Sequence, residues 1–360
     1  MDNLRWVIIL LVLFYHVFYF YNNKGVFGGI GGFSDGPQYQ DVVMYILYPW
    51  FMPMLFLLAG ISSRFALNKR TGKQWLKSRT IKLLVPSTIG LFVFQWMTGY
   101  FSTVTSSYFS GTPAFPEGTP SLVKYFIWSL VGIGPLWFVQ VLWVLGLVLL
   151  LLRKCDPKDK VWQWCGKAGL LLILLLGNLF WLGELTLVKN PRPGTIDGLL
   201  NLYKPVFYLV PFLLGYYFFS HDEVLEKIRK AWIPLMCCAV LSGILLTVTT
   251  FGQDNTSPEY LRSPLNCLYG WLMCLAMMGW FQTKFDYTGK FSQYMTRSSY
   301  GIYIVHYLVI SCFGYMMKVY TGLAPWEMYV ILTLAVFVLS PLLYEGLRRI
   351  PVVKWCVFGE

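Results

Sequence analysis

Residues 5–16 read RWVIILLVLFYH, an unbroken apolar and aromatic run that opens on Arg5 and closes on His16. A bilayer core of ~30 Å needs about 20 apolar residues in a helix. This run, extended to Leu4–Tyr21, meets that need with some tolerance. The rest of the chain repeats the pattern. Of 360 residues, 56% are hydrophobic and only 13% charged, and the mean hydropathy is +0.55. A soluble domain carries roughly twice that charged share. The apolar residues come in long blocks, which predicts an all-α, polytopic membrane helical bundle.

Ten spans follow: Leu4–Tyr21, Val43–Phe65, Ile81–Phe101, Leu136–Leu152, Ala168–Leu182, Pro205–Phe219, Trp232–Thr250, Pro264–Phe281, Ser299–Val319 and Pro325–Leu347. Leu122–Gly134 is also apolar and either extends the fourth span or lies along the interface. The N-terminus has a positive residue and an apolar core but no small-x-small cleavage site. Phe18, Tyr19, Phe20 and Tyr21 follow instead, so it reads as a retained first span rather than a signal peptide. Residues 1–360 read as one integral membrane domain, with no sequence repeat and no low-complexity tract.

Orientation comes from the basic residues. With the N-terminus in the cytoplasm, 22 of the 29 Lys and Arg fall on inner segments and 7 on outer ones: Lys24, Lys124, Lys189, Arg192, Lys204, Arg262 and Lys318. That asymmetry puts both termini inside. The net charge of +12 therefore reads as a topology signal and as contact with anionic lipid rather than as a nucleic-acid surface. The eight cysteines show neither C-x-x-C nor zinc spacing, so they read as small buried hydrophobes, and no metal is expected.

Arg5 and His16 are eleven residues apart. At ~100° per residue they return to nearly the same helix face, separated by about 16 Å of rise. His16 then lies beyond the bilayer midplane, where a polar side chain is costly unless it faces a cavity or a partner. The chain has only three histidines, and imidazole suits proton transfer near neutral pH. The alternative for His16 is a core histidine hydrogen-bonded to another span.

Six stretches in order carry a resemblance. They are MDNLRW with Arg5-x10-His16, FMPMLFLLAGISSRF at 51–65, KSRTIKLLVP at 77–86, GPLWFVQVLW at 134–143, SSYGIYIVHYLVI at 298–310 and LLYEGLRRIPVVKWCVFG at 342–359. Together they resemble membrane acyltransferase family 3 over essentially the whole chain. Two positions depart from the family pattern. Lys82 stands where a second arginine is frequent, which keeps the charge but loses the planar fork that grips phosphate. Ala59 stands where serine is common before Gly60.

The resemblance implies transfer of an acyl group, often acetyl, from cytoplasmic acyl-coenzyme A to a hydroxyl of an envelope glycan or glycolipid. It implies a multi-pass protein of the bacterial inner membrane. A thioester is already activated, so the enzyme has mainly to deprotonate and position an alcohol. His16 is then the candidate general base. Arg5, Arg64, Arg79 and Lys82, at the inner ends of the first three spans, are the candidates to hold the phosphates of the donor. Ser299, Tyr303 and His306 share one helical stripe and are candidate pocket residues, while His221 reads as a solvated surface residue. A carboxylate often orients such a base. The outer candidates are Asp35, Asp41, Glu184, Asp197, Asp254 and Glu259, with Glu184 favoured, whereas Glu345 reads as a partner of Arg348 or Arg349. Phe33, Tyr39, Tyr108 and Phe115 in the outer segments suit either stacking on sugar rings or loop packing.

Two other classes fit the composition. A transporter or flippase for a sugar-lipid or small metabolite would use the same polar residues as a path, but internal repeats and matching broken spans are missing. A scaffold or receptor leaves Arg5 and His16 without a role. Within the acyltransferase reading, direct transfer and a covalent acyl-enzyme both stay open, as does the oligomeric state, a homo-oligomer included.

Overall fold

The computed structural model describes residues 1–23, 28–34, 36–105, 115–192 and 195–360. Lys24, Asp35 and Tyr108, named above, lie outside the described residues. The fold is all-α, with no strand among the described residues. Seven helical stretches are long and apolar enough to cross a membrane: Asp2–Phe20, Tyr39–Lys69, Gly134–Cys155, Ile196–Tyr217, Trp232–Thr250, Lys290–Tyr320 and Pro325–Leu347. They correspond to seven of the ten expected spans, and the other three differ.

The third expected span, Ile81–Phe101, is broken. Wide π-type turns cover Thr80–Leu84 and Leu91–Gln95 before a regular helix resumes at Trp96–Thr105. Pro86 accounts for the first: it has no N–H, and its ring crowds the carbonyl four residues back. That carbonyl belongs to Lys82, and it accepts the Tyr300 hydroxyl at 2.6 Å instead. The fifth, Ala168–Leu182, splits into short helices Leu170–Leu175 and Gly177–Glu184. The eighth forms a single helix, Pro264–Lys284, but Asn266 and its several Gly, Tyr and Trp residues dilute its hydropathy. Residues 122–131 do not extend the fourth span, which begins at Gly134. They form a separate short helix, Ser121–Val131.

The helices group into two compact units. The first comprises Met1–Ile8, Tyr45–Ser78 and Val141–Gln293. Its tightest crossing is made by two glycines. A side chain on Gly60 would run into the Phe212 carbonyl, and one on Gly215 into the Leu57 carbonyl. Small residues of this kind let two helix backbones touch, which substitutes for the hydrophobic driving force that lipid does not supply. Nearby, Gly270 lies against the Pro49 carbonyl, which the ring of Pro53 leaves without a helical donor. Trp271, fully buried, donates its indole N–H to the Ile173 carbonyl at 3.2 Å and packs on Phe180.

The second unit comprises Ile9–Met44, Arg79–Gln140 and Tyr294–Glu360. Here Tyr21 donates to the Gly314 carbonyl at 3.0 Å, and Gln95 donates to the Ile304 carbonyl at 3.0 Å. Lys318 holds a glycine loop by donating to the carbonyls of Gly31 and Gly32 at 2.5 and 2.8 Å. Phe33 is packed against Tyr21 and beneath the Lys318 ammonium, which favours the loop-packing alternative for this ring, while Tyr39 stays exposed. All eight cysteines are unbridged. Cys165, Cys267, Cys274 and Cys356 are buried as expected, but Cys155, Cys237 and Cys238 lie on the protein surface.

Candidate active site

His16 lies on the Asp2–Phe20 helix, whose aliphatic run gives it no reason to bend. Its Nδ1 is 2.8 Å from the Val12 carbonyl one turn earlier. The same nitrogen is 3.1 Å from Nε2 of His306 on the Lys290–Tyr320 helix. The other His306 nitrogen, Nδ1, is 2.6 Å from the Tyr303 carbonyl. The two rings differ in access. His306 is 0% exposed, whereas His16 keeps part of its surface open. Aromatic rings enclose the remainder: His16 meets Tyr307 edge-on at 5.3 Å, Tyr15 at 5.4 Å and Tyr19 at 6.0 Å between centroids. Among the described residues the surround of His16 is therefore largely aromatic.

The stripe Ser299, Tyr303 and His306 is present, but its members contribute differently from expectation. Ser299 is buried. The Tyr303 hydroxyl is spent on the Pro135 carbonyl, so what Tyr303 offers the site is its backbone oxygen. Tyr307 was not legible as a site residue, although it is the immediate neighbour of His306 in SSYGIYIVHYLVI.

Among the described residues no carboxylate is hydrogen-bonded to His16, and Asp35 lies outside them. The hydrogen-bond partners of His16 are a peptide carbonyl and a second imidazole. Glu184 is 2% exposed and lies beside Lys204, which donates to the Tyr48 hydroxyl at 2.9 Å, while Glu184 Oε2 has no hydrogen-bond partner. Asp41 accepts from Gln38, Asp197 faces Arg192, and Asp254 accepts from Thr256 at 2.7 Å through its hydroxyl. Glu345 pairs with Arg348 at 3.3 Å, as its spacing suggested.

The basic candidates differ in their surroundings. Arg64 is 5% exposed, and its two terminal nitrogens meet the Asp159 oxygens at 2.9 and 3.1 Å. It also lies 4.1 Å over the Trp162 ring and donates to the Tyr216 hydroxyl. His221 stacks on the same indole at 3.9 Å and is 8% exposed, so it is a packed residue rather than a solvated one. Arg5 donates to the Ser62 hydroxyl at 2.5 Å, faces Asp2 at 3.3 Å and keeps its side chain 37% exposed. Lys82 is exposed, with its ammonium 5.8 Å from the Tyr300 ring, and Arg79 is within electrostatic reach of the same tyrosine. Among the described residues no group of three or more His, Cys, Asp or Glu is placed to hold a metal.

Seven helices among the described residues that are long and apolar enough to cross a membrane define the class: a multi-pass membrane protein. The chain belongs to acyltransferase family 3: the family's model, described as an acyltransferase domain, matches residues 1–345. It is therefore a membrane acyltransferase. Comparison with curated proteins and with solved structures gave no match.

Proposed function

We propose that residues 1–360 act as one domain that moves a short acyl group, acetyl foremost, from cytoplasmic acyl-coenzyme A to a hydroxyl of an envelope glycan or glycolipid. In this reading the chain crosses a bacterial inner membrane ten times, with both termini in the cytoplasm. His16 is the general base. It takes the proton of the acceptor hydroxyl, and the oxygen attacks the thioester carbonyl. The tetrahedral adduct then breaks its C–S bond, and His16 returns the proton to the leaving thiolate. Direct transfer is favoured over an acyl-enzyme, because among the described residues no serine or cysteine is hydrogen-bonded to His16, whose partners are a peptide carbonyl and a second imidazole. Arg5, Arg79 and Lys82 are the cations assigned to the donor phosphates. Arg64 is assigned to the fold, since its guanidinium already has a bidentate carboxylate.

The observation that carries this reading is a partly exposed His16 paired with a second histidine in a chain of this family. The test is thiol release from acetyl-coenzyme A by detergent-purified protein, with and without crude envelope glycan. The parent should release thiol in a glycan-dependent way, and His16→Ala should lose about 10²–10⁴-fold in rate. A folded parent that neither binds nor consumes acyl-coenzyme A would rule the reading out.

A further inference from the structure

From the hydrogen bonds behind His16, we propose that His306 is a positioning residue that holds His16 as the Nδ1–H tautomer, with Nε2 bare toward the acceptor hydroxyl. This rests on the reading of His16 as the base. The argument is one of donors and acceptors. A neutral imidazole has one N–H and one lone pair. A peptide carbonyl only accepts. The Tyr303 carbonyl at 2.6 Å therefore requires a hydrogen on Nδ1 of His306. In neutral His306 that leaves Nε2 as a lone pair, so at 3.1 Å from His16 it must accept. The donor is Nδ1–H of His16, which also serves the Val12 carbonyl at 2.8 Å. One hydrogen shared between two acceptors is a common arrangement in helices.

The opposite assignment fails at both ends. A bare His16 Nδ1 would point its lone pair at the Val12 oxygen, and a bare His306 Nδ1 would point its own at the Tyr303 oxygen. Making His306 a cation removes only the second conflict, and it puts a charge where nothing is exposed and only carbonyl dipoles answer it. His306 thus does the orienting usually given to a carboxylate, but as a neutral acceptor. When His16 takes the hydroxyl proton at Nε2, the Nδ1–H···Nε2 bond becomes charge-assisted and strengthens. His306 gains and loses no proton. The proton that His16 receives is the one it passes to the thiolate.

The experiment uses the full chain in lipid vesicles with ¹⁵N-labelled histidine. Three histidines give six ring nitrogens, and His221→Asn removes two for assignment. In the parent, His16 should show a protonated Nδ1 and a bare Nε2, and His306 the same pattern. A protonated Nε2 on His16 overturns the proposal whatever the activity. Kinetics supply the second arm. His306→Leu offers no acceptor and should lower kcat by about 10–100-fold with the KM for acyl-coenzyme A unchanged; a base held wholly in the wrong tautomer loses about 10⁴. His306→Gln, whose amide oxygen reaches the same nitrogen, should recover most of that loss. Parental kcat in a folded His306→Leu protein, or a Gln variant as slow as Leu at equal thermal stability, would also overturn it. His16→Asn separates the two readings. If that variant stays active, the base assignment fails while the tautomer pattern stands on the spectra alone.

Discussion

Arg64 and Asp159, ninety-five residues apart in sequence, form a fork-to-fork pair with contacts of 2.9 and 3.1 Å. Asp159 holds a left-handed backbone, φ 53°, at the start of the Lys160–Cys165 helix, and its side chain is one-third exposed while that of Arg64 is 6% exposed. Removing the carboxylate leaves a buried guanidinium with Tyr216 and the Trp162 ring as its remaining partners. Breaking a buried pair from one side costs about 3–5 kcal/mol. The partial exposure of Asp159 places this case at the low end, about 3 kcal/mol. Asp159→Asn should therefore lower the unfolding temperature in detergent clearly while the KM for acyl-coenzyme A stays put. A raised KM at unchanged stability would return Arg64 to the donor site.

The crossing of the Val42–Lys69 and Pro205–Tyr217 helices supplies the second prediction. At Gly60 a methyl group would meet the Phe212 carbonyl and the Tyr216 amide, both backbone atoms that have no rotamer by which to yield. Overpacking of this kind costs typically 1–3 kcal/mol, and Gly60→Ala belongs at the upper end because two backbones must separate. Gly346, near the end of the Pro325–Leu347 helix, has nothing within 4 Å of an added Cβ. Gly346→Ala should be neutral or stabilise by up to about 1 kcal/mol, since alanine is the better helix former. Thermal unfolding of both variants in one detergent checks the contrast. Equal behaviour of the two would mean that the crossing is looser than its geometry indicates.

How far the sequence foretold these features depends on whether each is local. Trp232–Thr250 and Pro325–Leu347 form with the boundaries expected for them, because apolar length and flanking Pro or polar residues are properties of the segment itself. The Glu345–Arg348 pair was legible for the same reason. Pro86 also announced its own effect on the third span, but the Tyr300 hydroxyl that completes the broken turn comes from a helix more than two hundred residues away. His16 and His306 were each legible as polar residues in apolar helices. Their contact was not, because it depends on which helix packs behind the first and in what rotation. Where a carboxylate partner was expected, the described residues put a second imidazole and a peptide oxygen beside Nδ1 instead. The pairing of Arg64 was hidden similarly, since nothing near it in sequence shows that Asp159 will face it.

Orientation is the remaining expectation, and it is open to direct test. A cytoplasmic donor requires the basic inner segments to face the cytoplasm, and the bias of 22 to 7 is the argument for that. Cys155 ends the Trp137–Cys155 helix directly after Arg153 and Lys154 and is exposed. In a chain whose other accessible cysteines, Cys237, Cys238 and Cys312, are replaced by alanine, a membrane-impermeant maleimide should leave intact cells unlabelled and react at Cys155 once they are permeabilised. Gln253→Cys, placed in the exposed turn after the Trp232–Thr250 helix, should react in intact cells and serve as the outer reference. The two sites are linked by the expected spans between Lys154 and Gln253, which are three in number, so an odd count puts them on opposite faces. Labelling of Cys155 from outside would invert the topology and move the acyl donor's access to the other surface. Labelling of both sites from one side would mean that one of the three intervening segments does not cross, and the short pair Leu170–Leu175 and Gly177–Glu184 is the one whose ~22 Å of helix falls short of a ~30 Å core.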